Sequence, residues 1–141
     1  MSSEFSMDNV EMSRLRSFDL FSCLNNQDLG VVAMNCRELR VPAGSTLIRQ
    51  GQVGEDVFLL EQGTVQVYRG QIETPRVIAV LEAPVVIGEM ALLDPERIRT
   101  SSVAALSDLR LLSISIDAFL LFLRGFPHLK ESLLHLVDSR R

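Results

Sequence analysis

Three sets of side chains in this 141-residue chain belong to types that do chemistry: two histidines, two cysteines, and a loop in which a glutamate, arginines and hydroxyls follow a glycine. His128 and His135 are seven residues apart. On a helix they share one face at about 10 Å, too far apart to hold one metal ion, and no third nitrogen or sulfur ligand stands nearby. They read as surface histidines. Cys23 and Cys36 are too few for a disulfide framework or a four-cysteine cluster, and read as small buried hydrophobes in a reducing, cytosolic setting. There is no G-x-S-x-G elbow, and the β-rich region holds no histidine. Neither a catalytic triad nor a histidine-ligated jelly-roll metal centre is therefore expected.

The loop Ile87-Gly88-Glu89-Met90-Ala91-Leu92-Leu93-Asp94-Pro95-Glu96-Arg97-Ile98-Arg99-Thr100-Ser101-Ser102-Val103 says more. A strand ends at Ile87, and Gly88 lets backbone approach a ligand closely. Glu89 to Leu92 can form one helical turn whose first amides are free. The chain then returns to a strand beginning near Arg99. Free amides, an arginine and hydroxyls on one loop make a small anion site suited to phosphate. Glu89 repels a phosphate, but suits a ligand that also offers a donor such as a sugar hydroxyl. The plainer alternative is a Glu89–Arg99 surface ion pair on a turn.

The elements around this loop fall into three zones. Residues 1–8 are Ser-rich and aperiodic, and are expected to be a frayed or artificial tail, leaving 9–141 as a single domain. Residues 9–35 read as helical, with Asn25 or Asn26 capping a helix that carries Leu29, Val32 and Ala33. From 36 to 116, Gly and Pro punctuate about eight short β-rich runs, the pattern of a jelly roll or barrel. In Leu112-Ser113-Ile114-Ser115-Ile116 the aliphatics face inward and the serines outward. Val77-Ile78-Ala79-Val80-Leu81 and Val85-Val86-Ile87 are near-continuous apolar runs, suited to strands covered on both sides. Residues 117–141 return to helix, with Asp117 as N-cap and Gly125 as C-cap of the first. Pro127 opens the second, and Leu129, Leu133, Leu136 and Val137 form one stripe, either packed on the domain or forming a dimer seam.

Hydrophobic residues make up 47% and charged residues 23% of the chain, a globular balance. No apolar run reaches the roughly 18 residues of a membrane helix, and no signal peptide is visible, so a cytoplasmic location is expected. The net charge of −4 gives no basic field for direct nucleic-acid binding.

The loop and its glycine frame resemble the cyclic nucleotide-binding domain family, which includes catabolite activator proteins and kinase regulatory subunits. The phosphate-binding cassette of that family is similar to Gly88-Glu89-Met90-Ala91-Leu92 followed by Arg99-Thr100-Ser101-Ser102-Val103. Upstream, Pro42-Ala43-Gly44, Leu47-Ile48, Gln50-Gly51, Gly54-Glu55-Asp56, Phe58, Gly63, Val65 and Val67 match as well, so the resemblance spans about residues 14–137. It implies a mainly β fold, a β-roll or jelly roll with N-terminal helices and C-terminal hinge and lid helices.

It also implies a non-enzymatic sensor domain that binds cAMP, with cGMP tolerated, without metal, and moves its C-terminal helices on binding. The C-terminal helix would then serve a homodimer or a downstream effector. A family member that has lost its ligand and acts as an interaction module is the alternative. By the resemblance, Arg99 would hold the exocyclic phosphate oxygens and Glu89 the ribose 2′-hydroxyl. Gly88 would permit close approach, Met90 and Ala91 would offer amides, Thr100 and Ser101 would touch phosphate or base, and Val86 and Ile87 would line the apolar side. Arg97 is the rival of Arg99, which alone is followed by the small-hydroxyl-Val pattern. Thr100 stands where relatives that accept cGMP hold a threonine against the guanine amino group. Ile87 replaces the usual aromatic, Ser101 replaces a common alanine, and Asp94 and Glu96 place negative charge in the loop. Arg99 is expected to be solvated without ligand, so that its removal would leave the fold intact.

Overall fold

The computed structural model describes residues 4–6, 10–71 and 73–140. Short helices open the chain: α1 (Met12–Leu15), a 3-10 turn at Asp19–Phe21, and α2 (Asn26–Met34). Asn25 caps α2, its side-chain oxygen accepting from the Asp28 amide at 2.8 Å. Strands β2 (Cys36–Val41), β3 (Thr46–Ile48), β4 (Asp56–Gln62), β5 (Thr64–Arg69), β6 (Arg76–Glu82), β7 (Val85–Ile87), β8 (Ser102–Ala105) and β9 (Leu109–Ser115) follow. A 3-10 turn, Glu89–Leu92, lies between β7 and β8, and α3 (Ile116–Gly125) and α4 (Pro127–Ser139) close the chain. Residues 4–6, expected outside the fold, form β1 (Glu4–Ser6) and pair antiparallel with Glu38–Arg40 of β2. The rest of the expected tail, 1–3 and 7–8, lies outside the described residues.

The strands make two antiparallel sheets, one five-stranded in the order β1-β2-β9-β4-β7 and one four-stranded in the order β3-β8-β5-β6. This is the expected mainly β roll with flanking helices. Two cores flank the larger sheet. On the helix side Leu15, Phe21, Leu29, Leu112, Ile114, Phe119, Leu129 and Leu133 are fully buried. Between the sheets Leu39, Leu60, Val65, Val103, Leu109 and Leu111 form the roll interior. Aromatic rings continue the helix-side core, with centroids 6.2 Å apart for Phe21–Phe119 and 6.1 Å for Phe119–Phe122.

Several local expectations change. Strand β9 lies between β2 and β4 and is covered on both faces, so Ser113 is buried opposite Phe58 rather than turned outward. Ser115 caps α3, accepting from the Ala118 amide at 3.1 Å, while Asp117 sits inside its first turn and Gly125 is its last residue. Cys36 is buried as expected, but Cys23 is exposed. The run β6 is not covered on both sides. It is the end strand of its sheet, and Val77, Ile78 and Val80 are about half exposed. Leu129, Leu133 and Val137 of the α4 stripe are buried within the chain, against the helix-side core.

Candidate functional site

The loop from β7 to β8 is built on two conformational exceptions. Gly88 follows β7 with φ 85°, ψ 15°, a left-handed conformation that a side chain disfavours, and it turns the chain into the 3-10 segment Glu89–Leu92. Arg97 has φ 58°. That turn is held by Asp94, whose carboxylate accepts from the amides of Glu96 at 2.9 Å and Ile98 at 3.2 Å. The negative charge that Asp94 places in the loop is thus engaged by backbone amides.

The Arg97–Arg99 backbone is then stitched to the 51–54 turn. Gly54 N donates to Arg97 O at 2.7 Å, Arg99 N to Gln52 O at 2.8 Å and Gly51 N to Arg99 O at 2.9 Å, around a Val53–Ile98 bridge. Regular strand resumes at Ser102, three residues later than expected. Ser102 is buried and its hydroxyl accepts from the Gln50 amide at 2.9 Å.

This stitching aims Arg99 inward. Arg99 is only 8% exposed, contrary to the expectation of a solvated side chain. Its Nη2 donates to Asp56 O at 2.7 Å and its Nη1 to Gly88 O at 3.3 Å. Two glycines make room for it. A Cβ on Gly54 would fall 2.7 Å from Arg99 Cζ, and one on Gly88 would fall 2.7 Å from Arg99 Nη1. Gly88 therefore seats the arginine as well as turning the chain. Gly54 and Asp56 were legible as parts of the glycine frame but not as partners of Arg99, because their contact with it spans more than forty residues of chain.

Burial pushes the Arg99 guanidinium below its usual basicity, while the carboxylates of Asp56 and Glu89 work to keep it charged. Burial also raises the Asp56 carboxyl, against the pull of Arg37 and Arg99. Among the described residues no carboxylate comes within ion-pair distance of Arg99. An open groove of about 490 Å³ runs past Arg99, between Leu47, Ile48, Gln52, Val53, Glu55 and Phe58. That volume is within the usual range for small-molecule sites.

The other expected site residues are not all brought to this groove. Glu89 is buried, but it pairs with Arg140 at the end of α4, Nη1 to Oε1 at 2.6 Å, and not with Arg99. Ala91 is buried in the helix-side core, and Met90 is 40% exposed beside it. Val86 and Ile87 point to opposite faces of β7. Val86 joins the helix-side core, and only Ile87 lies in the roll interior with Ile48 and Phe58, which line the groove. Val86 is thus removed from the expected apolar lining. Thr100 is exposed, and Ser101 Oγ accepts from Arg69 Nε at 3.4 Å. Arg97 is turned away to Asp117 on α3, Nη2 to Oδ1 at 2.6 Å. His128 lies beside Glu131, and no group of three metal-ligating side chains occurs among the described residues.

The model of the cyclic nucleotide-binding domain matches residues 38–125, more than half of the chain. The chain belongs to the cyclic nucleotide-binding domain family. It is 29% identical over 119 residues to the cAMP-dependent protein kinase regulatory subunit of Aspergillus fumigatus, covering 84% of this chain and 28% of that protein. The catabolite activator protein of Thermus thermophilus has a similar structure, with a TM-score of 0.76 and 27% identity over 87% of this chain and 58% of that one. The sensor domain of the regulator DNR from Pseudomonas aeruginosa shares the fold at a TM-score of 0.80 and 22% identity, over 92% of this chain and 87% of that one. The chain thus spans less than two thirds of the kinase subunit and of the activator protein. Domains of this family are generally regulatory. No described helix of this member is long and apolar enough to cross a membrane.

Proposed function

We propose that this domain is a cyclic nucleotide sensor that takes cAMP, tolerates cGMP, and reports binding through its C-terminal helices. The observation that carries this reading is Arg99, a desolvated cation whose hydrogen-bond partners are two neutral carbonyls. A buried charge without a counter-charge is costly, and a cyclic phosphate monoanion entering the groove supplies one. A guanidinium has five N–H donors, of which two are engaged here, so the remainder can grip both exocyclic oxygens. Glu89, exchanging Arg140 for the ligand, would supply the acceptor for a ribose hydroxyl, and Ile48 and Phe58, with Ile87 packed beside them, the apolar surface. Among the described residues no histidine or metal-binding cluster stands beside Arg99, and the ligand is taken to leave unchanged. The same protein incubated with cAMP is expected to yield no 5′-monophosphate.

Two arginines connect the cassette to the helices. Arg97 ties its return loop to α3 through Asp117, and Glu89 ties its first turn to the end of α4 through Arg140. Ligand at Arg99 and Glu89 bears on both ties, and shifts the helices by as much as its affinity differs between the two arrangements. Calorimetric titration with cAMP, cGMP and a cyclic dinucleotide tests the reading. Saturable one-to-one binding of cAMP, with cGMP weaker, is expected. No heat with any of the three would leave an interaction module. Thr100 is exposed and free to meet a base edge, and one hydroxyl contact is worth about 0.5–1.5 kcal/mol. Thr100→Ala should therefore change the cAMP/cGMP affinity ratio by roughly two- to tenfold, and an unchanged ratio removes Thr100 from ligand discrimination.

A further inference from the structure

We propose that two copies of this chain associate edge to edge, antiparallel, along strand β6. Strand β6 ends its sheet, so its outer row of backbone groups has no neighbouring strand among the described residues. Its composition, Arg-Val-Ile-Ala-Val-Leu-Glu, is that of a strand covered on both faces, yet Val77, Ile78 and Val80 are 51%, 46% and 55% exposed. Edge strands are ordinarily protected by short length, inward charges or bulges. This seven-residue strand keeps its charges at its two ends and carries a single register shift, Ile78 falling between the pairs Val67–Ala79 and Tyr68–Val77.

The placement of those charges selects the occupant. An antiparallel copy centred on Ala79 puts Arg76 near the partner's Glu82, with Val77 and Ile78, at the register shift, facing the partner's Val80 and the partner's Leu81. Two opposite-charge pairs then bracket an apolar centre, and the two-fold axis passes through Ala79. Within one copy Arg76 stands directly across the ladder from Arg69, a like-charge pair that costs stability. The partner's Glu82 would offset it. Neither Arg76 nor Glu82 makes an ion pair among the described residues. The buried α4 stripe leaves this edge as the larger uncovered apolar run.

One strand pair buries less than the roughly 1,200 Å² of a stable interface, so association is expected only at about 0.1–1 mM. The test is sedimentation of the full chain across that range, for wild type, Arg76→Glu, Glu82→Arg and an equimolar mixture of the two variants. Both positions are exposed, so the variants should fold, which circular dichroism checks. Each variant alone juxtaposes like charges and should remain monomeric. The mixture restores opposite charges at both ends and should associate as wild type does. A wild type that stays monomeric, variants that associate unchanged, or a mixture that fails to associate would each overturn the proposal. In a Cys23→Ser background, Ala79→Cys should form a disulfide dimer readily on mild oxidation, while Glu73→Cys, beyond the paired run, should not. Equal crosslinking at both positions would overturn the register.

Discussion

At the scale of single residues the site depends on what is missing from Gly54 as much as on what is present at Arg99. The Gly54 backbone lies outside the left-handed region, so alanine is conformationally acceptable there. Its Cβ would meet the movable end of Arg99 at 2.7 Å, not rigid backbone. Gly54→Ala should therefore fold normally and lower cAMP affinity by about tenfold or more through displacement of the guanidinium, with no added loss in an Arg99→Ala background. Additive losses in the double variant would show that Gly54 acts by another route. Cys36 offers an independent check of the packing. Burial pushes its thiol up to about 12, whereas Cys23 is exposed. A thiol reagent at pH 8 should titrate one cysteine in the native chain and two after unfolding, and two rapid native thiols would contradict a closed α2–β2 core.

At the scale of elements, the cassette is a short lever fastened at both ends. Asp94 and the 51–54 turn hold its return loop, and Arg97 and Glu89 reach α3 and α4. The Glu89–Arg140 pair is partly buried and is worth about 1 kcal/mol. Without ligand, Arg140→Ala should speed amide exchange in the last two turns of α4 by roughly fivefold, and Arg140→Lys should restore part of the protection. Unchanged exchange in Arg140→Ala would mean that the pair does not hold the helix. Helix caps show where sequence reading succeeds and where it slips. Asn25 was legible as a cap because its chemistry is local, and for α3 the hydroxyl of Ser115 takes that role instead of Asp117, which is drawn to Arg97 across the loop.

At the scale of the whole molecule, the legible features were those written in short-range pattern: glycine-punctuated strands, the flanking helices, and a cassette whose glutamate and arginine stand at fixed spacing. The features that escaped depend on topology. Nothing in the run Val77–Leu81 says that it will end a sheet, because burial of a strand is decided by which strands flank it. Val86 and Ile87 were legible as apolar, but their division between two cores follows from β7 lying at the edge of the five-stranded sheet with helices on one face and the roll on the other. The partner of Glu89 lies fifty-one residues away on the final helix, beyond any local signal. Arg99 was singled out by the pattern that follows it and the structure sets it beside the groove, but its burial was not legible, since the space it fills is left by Gly88 and by Gly54 of a distant turn.

The central claim is that Arg99, and not its neighbour Arg97, captures the phosphate of a cyclic nucleotide. Calorimetric titration of cAMP into wild type, Arg99→Ala and Arg97→Ala at one salt concentration tests it most directly. Loss of one member of a buried charge pair costs about 3–5 kcal/mol, so Arg99→Ala should bind at least roughly 10²–10³-fold more weakly. Arg97 is held at Asp117, whose side chain is 82% exposed, so Arg97→Ala should change affinity by less than about tenfold. A larger loss at Arg97, or cAMP binding undiminished in both variants, would contradict the account.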